Sequence, residues 1–222
     1  MRHPSILFLL PLFVAATASG GEPHLVDLSK HVTHSLTDNL GRGIEGNTLK
    51  ELPKGKQKLG DSTFQVEGLM QLGSKTLVKG PEKIEGIKVG VKGEKLHFLH
   101  ATFFGGGVCD DPTHQWYVAK GTQIGEYIIN YEDGATEGVP IVYGEDLRDW
   151  FFHEGEAGVE RGKIVWTGDN PFAAQNKCRL RLYSLEWKNP NPKKSIRSID
   201  FVGRKTETVS APFCLAITVE QP

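Results

Sequence analysis

The stretch IGEYIINYEDGATEGVPIVYGEDLRDW, residues 124–150, decides the fold class of this chain. Apolar side chains recur at every second position from Tyr127 to Tyr131, and again from Val139 to Tyr143. Alternation with a period of two is typical of half-buried strands, and the Asp-Gly pair between the two runs is typical of a tight turn. This stretch therefore predicts an antiparallel β-hairpin.

The parity of the two runs predicts the length of the turn. A two-residue turn would place the two apolar sets on opposite faces, because a shift of one residue reverses every side chain. A three-residue loop over 132–134 instead pairs Tyr127 with Val139, so that the apolar sets share one face. The loop then ends at Gly134, where a left-handed residue closes a bulged hairpin.

The first 20 residues have the pattern of a signal peptide. A short basic start precedes an apolar run from Ile6 to Ala16, and small residues follow it. Such a run is too short to anchor a protein permanently in a bilayer. We therefore predict a signal peptide over 1–20 and a secreted or periplasmic mature chain over 21–222, with no membrane span after the signal is removed.

The charge balance argues against two classes of partner. The 27 acidic and 26 basic residues nearly cancel, so there is no electrostatic case for binding nucleic acid or an anionic membrane. About 200 residues remain after the signal segment, which is enough for a single β domain with a substantial core. The sequence does not indicate an oligomeric state.

Short alternating segments continue to the C-terminus and predict roughly nine or ten strands, with almost no helical periodicity. Lys95–Phe104 is apolar on both faces, which predicts a central strand covered on its second face. Arg179–Trp187 changes phase, which predicts a bulge near Tyr183. The economical fold is all-β, an antiparallel β-sandwich with jelly-roll connections, although a cupin-type barrel has the same signature.

The mature chain has three cysteines, Cys109, Cys178 and Cys214. An odd count leaves at least one of them unpaired or paired with another chain. Cys214 lies in an apolar run and is expected to be a buried small hydrophobe. A disulfide between Cys109 and Cys178 is a hypothesis that depends only on the export signal.

Two histidine pairs resemble metal sites, but their spacing argues against each. His97 and His100 are three apart on a predicted strand, so they point to opposite faces and cannot chelate one ion together. His31 and His34 would share a face in a helix, but no third ligand lies nearby in the sequence. We therefore predict no metal site and no cofactor.

Three acids follow the hairpin, at Glu145, Asp146 and Asp149. Their spacing does not fit an EF-hand, and three clustered acids more often form a solvated turn or pair locally with Arg148. Neither a serine-hydrolase elbow nor a phosphate-binding loop occurs. We therefore predict no catalytic residue, and we expect that the chain is not an enzyme.

The four tryptophans divide into two groups. Trp166 and Trp187 lie in predicted strands and are expected in the core. Trp116 and Trp150 lie in predicted loops, where an exposed aromatic ring is the usual platform for the apolar face of a sugar. Covering the edge of the sandwich is the competing role for these two rings.

Several strings of the sequence have a familiar order. They are EGIKVG, KLHFLHATFFGGG, IGEYIINYEDG with VPIVYGEDLRDW, RLRLYSLEWKNPNPKKSIRSIDFV and PFCLAITVE. Together they resemble exported bacterial β-sandwich modules with a galactose-binding-like jelly roll, carbohydrate-binding-type domains found beside carbohydrate-active enzymes. The resemblance runs from about Leu25 onward. It implies a galactose-binding-like fold that acts by binding, or by packing against a catalytic neighbour, and it implies neither a catalytic residue nor a particular ligand residue.

Loop placement and side-chain chemistry give Trp116, Arg148 and Trp150 as candidate ligand-binding residues, with His100 in support. The leading hypothesis is an exported non-catalytic module that binds carbohydrate, a glycan or another cell-surface polymer. One alternative is a structural or protein-interaction domain without a small-ligand site, in which Trp116 and Trp150 are packed against the sandwich. The other alternative is a cupin-like metalloenzyme.

Overall fold

The structure, a computed structural model, describes residues 21–106 and 115–222. These residues form thirteen strands and one helix of five residues, and no helix in the two ranges has the length and apolar character needed to cross a membrane. In chain order the elements are β1 (His24–Leu25), β2 (Gly55–Leu59), β3 (Ser62–Val66), β4 (Met70–Gln71), β5 (Lys83–Lys92), β6 (Lys95–Phe103), β7 (Gln123–Tyr131), β8 (Thr136–Val142), β9 (Phe151–Phe152), β10 (Lys163–Gly168), α1 (Pro171–Gln175), β11 (Arg179–Lys188), β12 (Ser195–Gly203) and β13 (Ala211–Glu220).

The strands form a seven-stranded sheet, a four-stranded sheet and the two-stranded hairpin β2–β3. The larger sheet has the order β1-β13-β6-β11-β10, with β4 beside β13 and β9 beside β11. The smaller sheet has the order β5-β12-β7-β8, and the strands in all three sheets pair antiparallel. The predicted antiparallel all-β fold is confirmed, whereas the jelly-roll connections and the galactose-binding-like fold stay predictions.

The two larger sheets pack face to face as a sandwich. The Phe98 ring of β6 stacks on the Tyr127 ring of β7 with centroids 4.0 Å apart. Tyr127 also stacks on Phe201 of β12 at 4.9 Å, within its own sheet. Buried apolar side chains from Val26 to Val219 belong to a single hydrophobic cluster, so that the sheets share one core.

The predicted hairpin is formed by β7 and β8. Tyr127 lies opposite Val139, which is the register that the parity argument requires. The Gly134 amide donates to the Tyr131 carbonyl at 3.1 Å, and Gly134 has a φ of 85°. Both the three-residue loop and its left-handed glycine are therefore confirmed.

β6 is a central strand, as predicted, and lies between β13 and β11. Its first face carries Phe98 and His100, which both contact Tyr127 of the four-stranded sheet. Its second face carries Phe103, which is only 2% exposed. The Trp150 ring meets Phe103 edge-on with centroids 4.7 Å apart, so this tryptophan helps to cover the second face.

The predicted bulge near Tyr183 is wrong. β11 pairs with β6 in continuous register from Tyr183 to the end of the strand, and the irregularity falls on β10 instead, between Ile164 and Trp166. The phase change has a different cause, because residues 180–185 of β11 are buried on both faces. A strand that is buried on both faces has apolar side chains at odd and even positions alike.

The segment that follows the hairpin lies within the seven-stranded sheet. The Trp150 amide donates to the Thr102 carbonyl of β6 at 2.9 Å, and the Trp150 carbonyl accepts from the Arg181 amide of β11 at 2.8 Å. β9 then continues beside the start of β11. Residues 149–152 therefore fill the gap where β6 and β11 cease to pair with each other.

Cys214 is fully buried, which confirms its predicted role as a small hydrophobe. Cys178 is also buried, and its thiol lies 3.5 Å from the Ala173 carbonyl oxygen. The hypothesis of a disulfide to Cys109 lies outside the described residues.

Candidate functional site

The structure separates the four residues that were predicted to bind a ligand. His100, Arg148 and Trp150 are buried, with 1%, 6% and 0% of their surfaces exposed. Trp116 is half-buried. These four residues therefore do not form one accessible binding surface.

Trp150 is a packed core residue. Its ring lies 4.7 Å from the Phe103 ring, 4.8 Å from the Phe151 ring and 5.9 Å from the Phe213 ring, measured between centroids. Its indole nitrogen has no hydrogen-bond partner among the described residues. Because neighbouring rings enclose it, this tryptophan has no free face on which a sugar can stack.

His100 lies inside the sandwich. Its Nδ1 is 3.2 Å from the Tyr127 hydroxyl, and its Nε2 has no partner among the residues that the structure describes. Burial lowers the pKa of His100 to about 4, with a weaker opposing effect from the Asp146 charge. The imidazole is therefore neutral near pH 7. His97 points to the opposite face, as predicted, and its Nε2 lies 2.8 Å from the Glu220 carboxylate.

Asp146, one of the acids that follow the hairpin, forms a buried structural contact. Asp146 is fully buried and accepts two hydrogen bonds from Arg161, from Nε and from a terminal nitrogen, each at 2.7 Å. It also accepts the Val142 amide at 2.7 Å. Arg148 donates from Nε to the Gly158 carbonyl at 3.2 Å. Asp146 is therefore saturated by groups that fix the loop after β8.

Asp149 and Arg181 anchor the inserted segment. The Asp149 carboxylate accepts the Gly105 amide at 2.6 Å and the Phe151 amide at 2.9 Å, and burial nevertheless raises its pKa to about 6. Arg181 donates to the Asp149 carbonyl at 2.9 Å and pairs with the Glu156 carboxylate at 2.7 Å. The described residues contain no group of three or more His, Cys, Asp or Glu side chains able to hold a metal ion.

A cleft of about 460 Å³ lies elsewhere, between the N-terminal segment and the loop that follows β4. Pockets that hold small ligands have volumes of about 300–1,000 Å³. The cleft is lined by Thr33, His34, Gly41, Arg42, Gln71 and residues 76–81.

The loop that forms one wall of the cleft is pinned at its base. The Gly73 amide donates to the Pro81 carbonyl at 2.7 Å, and the Ser74 hydroxyl accepts two amides of the loop at 3.1 and 3.0 Å. Gly73 and Gly80 pack backbone against backbone, since a Cβ on Gly80 would lie 2.7 Å from the Gly73 Cα. This wall is therefore preformed by backbone contacts.

Gln71, one of the residues that line the cleft, has a side-chain acceptor without a partner among the described residues. Its Nε2 donates to the carbonyls of Leu72, Ala211 and Pro212 at 2.9, 3.1 and 3.4 Å. Only the amide nitrogen can face carbonyl oxygens, so the orientation of the side chain is fixed. Its Oε1 is buried and has no partner in the described part of the chain. An unpaired buried acceptor costs about 1–3 kcal/mol, which a donor from a bound molecule would offset.

A stack of three side chains borders the cleft, and we call Arg42, Phe104 and Trp116 the rim stack. The Arg42 guanidinium carbon lies 5.8 Å from the centroid of the Phe104 ring, and that ring lies 5.7 Å from the Trp116 ring. Phe104 has a φ of 58°, a left-handed conformation that non-glycine residues rarely adopt. Through Phe104, the stack brings Trp116, alone among the four predicted residues, close to the cleft-lining Arg42.

A second cavity, of about 420 Å³, lies near His97 and the C-terminal end of β13. Its polar groups include the His97–Glu220 contact and the Thr218 hydroxyl, which donates to the Thr63 carbonyl at 2.7 Å. None of the buried polar atoms left without a partner in the described ranges belongs to a residue lining this cavity. The cleft at Gln71 is therefore the better candidate site.

This cleft was not predicted from the sequence. Residues 39–60 had the composition of a loop, and Gln71 lay in an unremarkable short strand. The one available signal was the apolar pair Leu77-Val78 between lysines and ahead of a Gly-Pro turn. In the structure Val78 is 64% exposed, which is unusual for a large apolar side chain.

Neither a scan against protein-family models nor a search of curated proteins found a match for this chain. The chemistry of the cleft is therefore inferred from its own residues.

Proposed function

We propose that this chain is an exported, non-catalytic module that binds carbohydrate or another cell-surface polymer in the cleft between Arg42 and residues 76–81. The observation that carries the proposal is the buried Gln71 Oε1, an acceptor without a partner on a residue that lines a preformed cleft. Sugar hydroxyls are donors of the kind that this oxygen accepts. The resemblance to galactose-binding-like modules supports the same role.

The apolar part of the cleft supports a sugar ligand as well. Leu77, Val78 and Pro81 contribute to its lining, and Val78 is 64% exposed. Exposed apolar side chains in a concave site with a few polar groups are typical of binding surfaces. The C–H face of a sugar ring can pack on such a surface while its hydroxyls reach the polar atoms.

The lining residues also support binding without catalysis. Glycosidases generally use two carboxyl groups that flank the scissile bond. The cleft lining contains neither aspartate nor glutamate. The lining contains one histidine, His34, and its Nδ1 lies 2.9 Å from the Thr33 hydroxyl.

A glycan array followed by calorimetry tests the proposal with a matched pair of variants. Val78→Ser changes the cleft, and Ile164→Ser changes the other strongly exposed apolar residue, on β10. We expect Val78→Ser to weaken glycan binding by about fivefold to tenfold, because it removes apolar contact area. We expect Ile164→Ser to bind as the wild type does. A folded wild type that binds no glycan would refute the proposal, and equal losses in both variants would place binding outside the cleft.

The protein-interaction alternative is favoured by one observation, the complete burial of Trp150. Trp116 can be used to distinguish the two hypotheses, because it is half-buried and its ring belongs to the rim stack. Acrylamide quenching of wild type and Trp116→Phe identifies the fluorescence of this residue. Under the binding proposal, a bound glycan protects that fraction from quenching, whereas the interaction alternative predicts no protection by any glycan.

A further inference from the structure

The two exposed cations that line the cleft lack acidic partners. Arg42 and Lys79 are both exposed, and neither joins an ion pair between described residues. Some other exposed cations are matched, as in Lys83 with Glu85 at 2.7 Å. The lining of the cleft therefore carries two positive charges that have no acidic partner among the described residues.

The surroundings of the cleft reinforce this charge. Lys205 donates from Nζ to the Gly80 carbonyl at 2.8 Å, which places a third cation against the same loop. The lining itself supplies no carboxylate. Because the whole chain has a formal net charge of −1, this local excess of positive charge is a property of the site and not of the protein as a whole.

Arg42 combines a cation–π contact with donors that suit an anion. Its guanidinium carbon lies 5.8 Å from the centroid of the Phe104 ring. The N–H groups of a guanidinium lie in its plane and match the two oxygens of a carboxylate or sulfate. Arg42 can therefore pair with an anion while it keeps its contact with Phe104.

We propose that the polymer bound in the cleft is an acidic polysaccharide. Its carboxylate or sulfate pairs with Arg42, Lys79 adds to the stabilisation of that charge, and a neighbouring hydroxyl donates to Gln71 Oε1. This inference rests on the proposed function, because it names the class of carbohydrate that the same cleft selects.

Matched oligosaccharides test the selection by calorimetry on the mature chain. Tetragalacturonate and α-1,4-linked galactotetraose differ only in the carboxylate or hydroxymethyl group on each ring, and a sulfated galactan tetrasaccharide supplies the other anion. We expect at least one acidic probe to bind about tenfold or more tightly than the neutral one at low salt. High salt reduces this advantage, since exposed charges are screened. The acidic probe that binds more tightly shows whether the cleft prefers a carboxylate or a sulfate.

Three variants identify the residues responsible. Arg42→Gln and Lys79→Gln are expected to reduce the preference for the acidic probes, while Lys88→Gln, an exposed lysine of β5, leaves it unchanged. Equal affinity for acidic and neutral probes overturns this inference but keeps the proposed function. Binding to none of the probes or array glycans overturns both. If Lys88→Gln loses as much of the preference for acidic probes as the two cleft variants do, the inference is overturned, because the attraction is then a general effect of the protein's charge.

Discussion

Replacement of His100 by asparagine should remove most of the acid sensitivity that this histidine gives the fold. The imidazole is 1% exposed, and its pKa falls from an ordinary 6.5 to about 4 on burial. Asparagine cannot titrate, and its short side chain can keep a polar atom near the Tyr127 hydroxyl, which lies 3.2 Å from Nδ1. The variant is therefore a non-titrating substitute that keeps the main polar contact.

The size of the effect follows from the two pKa values. The unfolded chain binds a proton at His100 more readily than the folded protein does, so stability is fully present above pH 6.5 and declines as the pH falls toward 4. The shift amounts to about 3 kcal/mol in total. The expected loss is about 1 kcal/mol at pH 5.5 and about 2–3 kcal/mol at pH 4.5.

Urea unfolding of wild type and His100→Asn, followed by tryptophan fluorescence at pH 7.5, 5.5 and 4.5, measures this loss. The quantity to compare is the wild-type free energy of unfolding minus that of the variant. Other titrating groups, Asp149 among them, are present in both proteins and largely cancel in the difference. A difference that stays constant over this range of pH would show that the folded and unfolded states bind a proton at His100 equally well, and would refute the reasoning.

Three further substitutions test other parts of the fold. Burial raises the pKa of Asp149 from an ordinary 3.8 to about 6, so the stability that this carboxyl contributes is present below pH 3.8 and is lost as the pH rises. In urea unfolding, the wild-type free energy of unfolding minus that of Asp149→Asn should therefore fall by about 3 kcal/mol between pH 3.5 and 7.5. A difference that does not change with pH contradicts this. Trp150→Ala should cost about 3–5 kcal/mol in the same assay, and Trp150→Phe clearly less; equal costs would contradict the ring packing. Gly134→Ala, with open space at its Cβ, should cost about 1–2 kcal/mol by thermal unfolding through its φ of 85° alone, and no cost would contradict a left-handed turn.

The parts of the fold that were predictable depend on local sequence. The register of the β7–β8 hairpin follows from alternation on either side of one turn, and the opposed directions of His97 and His100 follow from the same period. The central position of β6 could be predicted because both of its faces are apolar and both must be buried against other parts of the protein. Each of these conclusions needs only a few consecutive residues.

The parts that were missed depend on distant contacts. Asp146 pairs with Arg161 across a loop, and Trp150 has a sheet partner on each side from strands far away in the chain. The periodicity of a short segment does not show which distant strands it pairs with. A tryptophan that follows a turn, such as Trp150, therefore looks like a loop residue in the sequence.

The candidate site was missed for the same reason. Gln71, Arg42 and residues 76–81 come together only when separate loops pack beside β4, and Phe104 adopts its left-handed conformation after the strand has ended. An unpaired amide oxygen is a property of the assembled structure. Sequence reasoning therefore found Trp116, which is connected to the cleft-lining Arg42 through Phe104, without finding the cleft itself.

The insertion of residues 149–152 between β6 and β11 also has a consequence for the order of folding. Those two strands pair directly only as far as His100 and Tyr183, and beyond that point the edge of each strand that faces the other depends on the inserted segment for its hydrogen bonds. The larger sheet cannot be completed until the hairpin and its tail have arrived from elsewhere in the chain. Closure of such long loops is slow compared with hairpin formation. Trp150, which becomes enclosed only at that closure, is accordingly a built-in fluorescent reporter of a late step in refolding.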